Sequence, residues 1–246
     1  MESGRRVLWP TKKLNKERRR FMCFSANASF TASSVLLVAG MVSLKYVKAP
    51  SQIPFAIIPL IFSVQQFCEG MLWISIMKND YAQWKTASTY SFLLFAQVVW
   101  PMWVPFSIWF LEKNERRKKT LLLMTFLGAL VSGFLAFCML MYPVKAGINN
   151  HHMHYDLAFP GFRKHFVGIF YVLTTVISTF VSSIKKMRWL GLIIAGSLIV
   201  TALFYEQNII SVWCFFAAII SGIVFGIIRD LQKTNAELNE TRMFVK

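Results

Sequence analysis

Residues 54–73 read PFAIIPLIFSVQQFCEGMLW, an apolar run that is long enough as a helix, at ~1.5 Å per residue, to cross a bilayer. Glu69 is the single charged residue of the run. Because an ionised carboxylate in hydrocarbon costs at least a few kcal/mol, we expect Glu69 to be protonated, bound to a cation, or turned toward a polar cavity. On a helix, Gln65 and Gln66 lie one turn before Glu69, and Trp73 lies one turn after it. The stretch therefore predicts a polar stripe with an aromatic lid.

The composition excludes an ordinary soluble domain. Of the 246 residues, 56% are hydrophobic and 15% are charged, and the apolar residues come in long blocks. The net charge of +16 comes from Lys and Arg between these blocks, where such residues anchor helix ends and set orientation. We therefore predict a multi-pass protein of the lipid bilayer that does not bind nucleic acid. No cleavable signal peptide is expected, because the basic start is not followed by a small-residue cleavage pattern.

Seven apolar segments predict the fold. Each is about long enough to cross a bilayer, the sixth marginally. They cover residues 24–44, 54–77, 87–111, 120–142, 165–184, 189–206 and 208–228. The expected architecture is an all-α integral membrane bundle of seven transmembrane helices over residues 22–228. Residues 1–21, with eight basic and two acidic side chains, predict a disordered basic extension, and residues 229–246 predict a polar cytoplasmic tail.

Lys and Arg are unequally divided between the two sides of the predicted bundle. One side carries 14 of them and the other carries five, leaving the extension aside. Translocated loops are poor in Lys and Arg, so the C-terminus is expected to be cytoplasmic and the Met22 end outside. The eight basic residues of the extension should resist translocation. Either Met22 is the natural start, which we favour, or the topology is reversed.

In this orientation the residues capable of chemistry collect in the outer half of the bundle. Glu69 is expected about eight residues, or ~12 Å, below the outer end of its helix. The four cysteines, Glu206 and the loop of residues 146–165, which holds every histidine, fall in the same half. Reversing the topology would move this cluster to the cytoplasmic half without dispersing it. The clustering predicts a polar pocket centred on Glu69, the candidate catalytic residue.

A metal ion is one candidate ligand for this pocket. Imidazole and thiolate together suit zinc or copper. The candidate metal ligands are Cys23, Glu69, His151, His152, His154 and Cys214. The spacing HHMH matches no known zinc finger, so solvated histidines are the simpler interpretation, and a disulfide between two of the cysteines is a further alternative. The chain has no CxxC pair.

Other residues complete the predicted pocket. Pro101 and Pro105 follow Gln97 in one segment and predict a bend whose freed carbonyls need partners or line a cavity. The candidate ligand-binding residues are Gln65, Gln66, Glu69, Trp73, Gln97, Glu206 and Trp213. Residues 208–228 contain no lysine, which excludes a retinal Schiff base there, and no HExxH or GxSxG motif occurs.

Small residues predict close contacts between helices. Gly70, next to Glu69, is expected to let a neighbouring backbone approach, and Gly128 with Ser132 lies on one face of the fourth segment. These are interpreted as packing surfaces.

Three strings of the sequence resemble a known family. They are MCFSANASF from Met22, IPLIFSVQQFCEGMLW around Glu69, and SVWCFFAA from Ser211. The chain is similar in these strings to an uncharacterised bacterial multi-pass membrane family, a domain of unknown function whose members begin at MCFSA. The resemblance covers most of residues 22–228 and marks residues 1–21 as an extension. It implies no activity.

The leading hypothesis is that the protein binds a small ligand or metal ion in the pocket around Glu69, with chemistry on a membrane or periplasmic substrate as one use. A proton-coupled small-molecule transporter, with Glu69 as the proton carrier, is the competing class. The third hypothesis is a membrane sensor whose C-terminal tail binds a partner.

Overall fold

A computed structural model describes residues 25–149, 152–159 and 161–232, without the side chains of 161–165. Its architecture is the predicted all-α bundle, and six of its helices are long and apolar enough to cross a membrane. In chain order the helices are α1 (Ala26–Lys45), α2 (Pro50–Met77), α3 (Trp84–Leu111), α4 (Glu115–Met141), α5 (161–181), α6 (Lys185–Phe204) and α7 (Glu206–Gln232). These six are all the helices except α5, and they indicate an integral membrane protein. The extension 1–21 and residues 233–246 of the predicted tail lie outside the described residues.

Helix α5 is not among the six long apolar helices. It consists of Gly161–Val172, a π-helical turn at Leu173–Ile177, and one last α-helical turn at Ser178–Val181. Its apolar part, Phe166–Val181, is too short to count as a spanning helix by length. The chain becomes extended at Ser182, earlier than the predicted end at residue 184. Six helices, and not seven, therefore meet the length of a membrane span.

The loop that contains the histidines forms a β-hairpin, which the sequence analysis did not predict. Strand β1 (Val144–Asn149) pairs antiparallel with β2 (His152–Leu157). On β2 the side chains of Met153 and Tyr155 are buried, while those of the residues between and after them are more exposed. This alternation of period two is the strand signal that was present in the sequence.

Two glycines allow close contacts, and only one of them does so as predicted. A Cβ on Gly70 would lie 2.8 Å from the ring of Phe30, so a side chain of α1 takes the place of the expected backbone. At Gly128 the neighbour is backbone, since a Cβ there would overlap the carbonyl oxygen of Pro101. Helices α3 and α4 therefore touch through their main chains at this point.

Helix α3 departs from regular α-helix just before Pro101, the first of the two prolines that predicted a bend. A π-helical turn runs from Leu94 to Val99, and the Trp100 amide bonds to the Phe95 carbonyl. The next residue, Pro101, has no N–H, which leaves the Ala96 carbonyl without a helical donor. The Tyr171 hydroxyl of α5 donates to this carbonyl at 2.6 Å. The predicted free carbonyl thus exists, and it ties α3 to α5.

On the face opposite the hairpin, Glu112 joins the end of α3 to the end of α5. Its carboxylate accepts from the amide of Ser183 at 2.7 Å, from the Ser183 hydroxyl at 2.7 Å, and from the amide of Asn114 at 2.9 Å. Arg117 donates to the carbonyl of Ser182 at 2.8 Å, which caps α5. Burial raises the pKa of the Glu112 carboxyl, but the hydrogen bonds from Ser183 and Asn114 outweigh it and leave the pKa below its ordinary value.

Replacing Glu112 with glutamine is expected to lower the free energy of unfolding by about 1.5–3 kcal/mol at pH 7, because hydrogen bonds to a charged group are lost. A pKa that is depressed in the folded state gives stability that is complete above the unfolded pKa and is lost as pH falls through the folded pKa. The difference between wild type and Glu112→Gln should therefore shrink below about pH 4. Unfolding in detergent at several pH values measures it. Glu115→Gln, at an exposed neighbour, is the control, and a pH-independent difference would contradict the assignment.

Candidate functional site

The predicted polar stripe faces the interior of the bundle. Gln65 and Gln66 are fully buried, and Glu69 is 2% exposed. The Ser211 hydroxyl of α7 donates to Oε1 of Glu69. Trp73, the predicted aromatic lid, is also buried. The carboxylate is therefore shielded from lipid by its own helix and by α7.

Gln65 is held on one side only. Its Oε1 accepts from the indole N–H of Trp100 at 2.7 Å, and the Trp100 ring stacks on Phe62 with centroids 3.9 Å apart. Its Nε2 has no hydrogen-bond partner among the described residues, although the side chain lies next to the Cys214 thiol. One buried donor of Gln65 thus stays unpaired.

Gln66 and Tyr155 add three more unpaired atoms. Gln66 lies beside Glu69, yet neither its Nε2 nor its Oε1 is within hydrogen-bond geometry of a partner in the described part of the chain. The hydroxyl of Tyr155 also has no hydrogen-bond partner among the described residues. Its ring stacks on that of Phe92, with centroids 5.0 Å apart and an angle of 1° between the ring planes. Burial, followed by the nearby Glu69 and Cys214, raises the pKa of Tyr155 well above its ordinary value. The hydroxyl is therefore a neutral donor close to the carboxylate.

The hairpin is fixed over the turn between α6 and α7, which explains how Tyr155 reaches the bundle. Asn208 donates to the Met153 carbonyl at 3.1 Å. Nδ1 of His154 lies 2.5 Å from the carbonyl oxygen of Gln207, and Asn149 donates to the side chain of Gln207 at 2.8 Å. These bonds hold β2 with its odd-numbered side chains pointing into the bundle.

The metal hypothesis receives no support from the described residues. Within them, no group of three or more His, Cys, Asp or Glu side chains lies close enough together to hold an ion. His154 contacts the main chain of Gln207, and the ring of His152 packs edge-on against Tyr205 at 4.9 Å. Cys23 and His151, two of the candidate ligands, lie outside the described residues. Cys68 and Cys214 are free thiols.

The remaining candidate residues lie in different surroundings. Gln97 and Trp213 line a cavity of about 290 Å³ between α3, α4, α5 and α7. Glu206 is exposed at the start of α7 and does not line this cavity. The polar stripe does not line it either, but Cys214 does, and Cys214 also contacts Gln65. The candidate residues that the structure describes therefore include a polar cluster and, next to it, residues of an apolar cavity.

Sequence reasoning missed two residues of the polar cluster, which are Ser211 and Tyr155. Ser211 lies three residues before Cys214, on the same face of α7, so a search for polar residues at helical spacing would have found it. Tyr155 could be found only by recognising β2 from its alternation.

Comparison with known proteins identifies one relationship. A family model described as a family of unknown function, DUF6629, matches residues 22–239 of the chain. No curated protein and no solved structure matches significantly.

Proposed function

Since the chain belongs to DUF6629, a family of unknown function, its activity has to follow from the site, and we propose that it binds a small polar ligand beside Glu69. The ligand lies between α2, α7 and the hairpin. It offers a hydrogen-bond donor or a positive charge to the Glu69 carboxylate, and both a donor and an acceptor to the amide of Gln66. A protonated amine or a small amide has this chemistry.

The unpaired atoms around Glu69 carry this proposal. Near Glu69, four buried polar atoms have no hydrogen-bond partner among the described residues, namely Gln65 Nε2, Gln66 Nε2, Gln66 Oε1 and the Tyr155 hydroxyl. Leaving a buried donor or acceptor unsatisfied costs about 1–3 kcal/mol, so a purely structural cluster of this kind would be expensive. A ligand that satisfies these atoms recovers that free energy on binding.

The proposal includes the orientation of the protein in the membrane. With the basic extension 1–21 left aside, the hairpin side carries five Lys and Arg and the opposite side carries 14, so we place the polar cluster in the outer half and the C-terminus in the cytoplasm. Helix α5 crosses as a seventh, shorter segment, which an odd number of crossings between the Met22 end and the C-terminus requires. A tilt or local thinning of the bilayer accommodates its length.

The structure favours binding over proton-coupled transport. A proton route would need polar groups leading from Glu69 to the opposite face. The part of the bundle between Trp100 and the end opposite the hairpin is packed mainly with apolar side chains. The cavity in this part measures only about 70 Å³. The ion pair of Lys186 with Asp230 joins α6 to α7 and does not involve Glu69. The sensor hypothesis depends on the tail, most of which lies outside the described residues.

Native mass spectrometry of the protein purified in mild detergent tests the proposal. We expect a bound small-molecule mass that is released on activation, and we expect Glu69→Gln and Gln66→Leu to lose it. Phe67→Leu, on the exposed side of the same helix, should retain it. A wild-type protein without any bound mass, in which 1 mM alkylammonium or acetamide also produces no thermal shift, would overturn the proposal.

A further inference from the structure

The apolar cavity is a second candidate site, distinct from that of the proposed polar ligand. This cavity of about 290 Å³ adjoins a groove of about 350 Å³ between α4 and α5. The two share Phe134 of α4 and Val167 of α5, so they meet at these side chains. The groove is lined entirely by apolar residues: Leu127, Leu130, Val131, Phe134, Phe166, Val167 and Phe170.

The groove opens on the surface that meets the bilayer. Next to it, Leu130 of α4 and Ile169 of α5 are 56% and 66% exposed, as is expected for side chains in contact with lipid. Gly168 of α5 lines the cavity, and an added Cβ there would meet no atom of the described residues within 4 Å. A chain that entered from the lipid side would pass this position without meeting a side chain.

The inner end of the cavity is rigid. Tyr171 is held by its hydrogen bond to the Ala96 carbonyl at 2.6 Å, and its ring packs edge-on against Trp213 at 5.8 Å. Both residues and Cys214 also line the smaller cavity beyond, so they form the partition between the two. A preformed apolar cavity with a fixed end wall is typical of a binding site for an apolar ligand.

We propose that an acyl chain of a bilayer phospholipid enters between α4 and α5 and ends against Tyr171 and Trp213. The occupant follows from the surroundings, since hydrocarbon chains are the medium at the mouth of the groove and its walls offer almost no polar group. The headgroup stays at the membrane surface. This site is separate from the Glu69 cluster and touches it only through Cys214, so either proposal can fail without the other.

Photo-crosslinking tests this site. The full-length protein is reconstituted in phosphatidylcholine that contains a trace of phosphatidylcholine with a diazirine near the end of one acyl chain, and the crosslinked residues are mapped by mass spectrometry. We expect crosslinks on interior residues such as Leu135 and Trp213, and a roughly tenfold loss of them in Gly168→Leu, which fills the passage. Gly196→Leu, at another glycine with open space around it, should leave them unchanged.

A second variant, Leu198→Trp, fills the same cavity from α6 and should also remove the interior crosslinks. Thermal unfolding close to that of the wild type shows that a variant is folded. Crosslinks confined to outward-facing residues such as Leu130 and Ile169, and equal in all variants, would mean annular lipid only and would overturn the proposal.

Discussion

Gly128→Ala is expected to lower the free energy of unfolding by about 3 kcal/mol, at the upper end of what overpacking costs. A methyl group at this position would overlap the Pro101 carbonyl oxygen and lie 3.1 Å from the Met102 Cα. Both are main-chain atoms, so no side-chain rotation relieves the clash. Helix α3 is moreover tied to α5 at this level by the bond between Tyr171 and Ala96. Moving α3 away from α4 would therefore strain a third helix.

Reversible unfolding in mixed micelles measures this change. Gly133→Ala is the matched control on the same helix, because a Cβ there meets no atom within 4 Å. Its stability should equal or slightly exceed that of the wild type, since alanine favours the helix by up to about 1 kcal/mol. If the two variants had the same stability, the main-chain contact between α3 and α4 would be disproved.

Gln66→Leu is expected to raise the free energy of unfolding of the ligand-free protein by about 1–3 kcal/mol while abolishing binding of the ligand. Leucine has a similar volume and removes two buried polar atoms that have no partner in the described structure, so the cost of desolvating them disappears. The binding loss follows because the amide is proposed to contact the ligand. A gain in stability accompanied by a loss of function is typical of residues kept for binding.

The same substitution at Gln52, also buried and on the same helix, should act in the opposite direction. Its Oε1 accepts from the amide of Lys48 at 3.1 Å and from the side chain of Gln232 at 2.8 Å. Gln52→Leu leaves these donors unpaired and is expected to cost about 1–2 kcal/mol. Equal destabilisation by both variants would show that Gln66 has a structural role, and the proposed ligand site would lose its main support.

The sequence predicted the bundle and its polar stripe well, and the reason is chemical. Long apolar segments can satisfy their backbone in lipid only as helices, so six of the seven predicted spans were recognisable from composition. The free carbonyl near Pro101 follows from a missing N–H, which is a property of that residue alone. The count of seven was less secure, because α5 departs from regular α-helix at Leu173–Ile177 and ends early.

Local pattern could not predict which distant residues surround Glu69. The histidine loop was interpreted as a source of metal ligands, and the pairing between β1 and β2 that directs Tyr155 from this loop into the bundle was not predicted. Glu206 was expected in the pocket and is exposed, because it begins α7 at the end of the bundle that the hairpin contacts.

By itself, the amino-acid sequence determined that this chain is a helical membrane protein with one carboxylate among apolar residues, because hydropathy and helical spacing are properties of neighbours along the chain. Only the tertiary structure decided that Ser211 bonds to Glu69, that Trp100 donates to Gln65, and that the amide of Gln66 lies beside Glu69 without a hydrogen bond of good geometry among the described residues. These contacts join residues 35 to 142 positions apart, and they depend on how the helices are arranged around one another. That arrangement results from packing, which no short stretch of the sequence encodes.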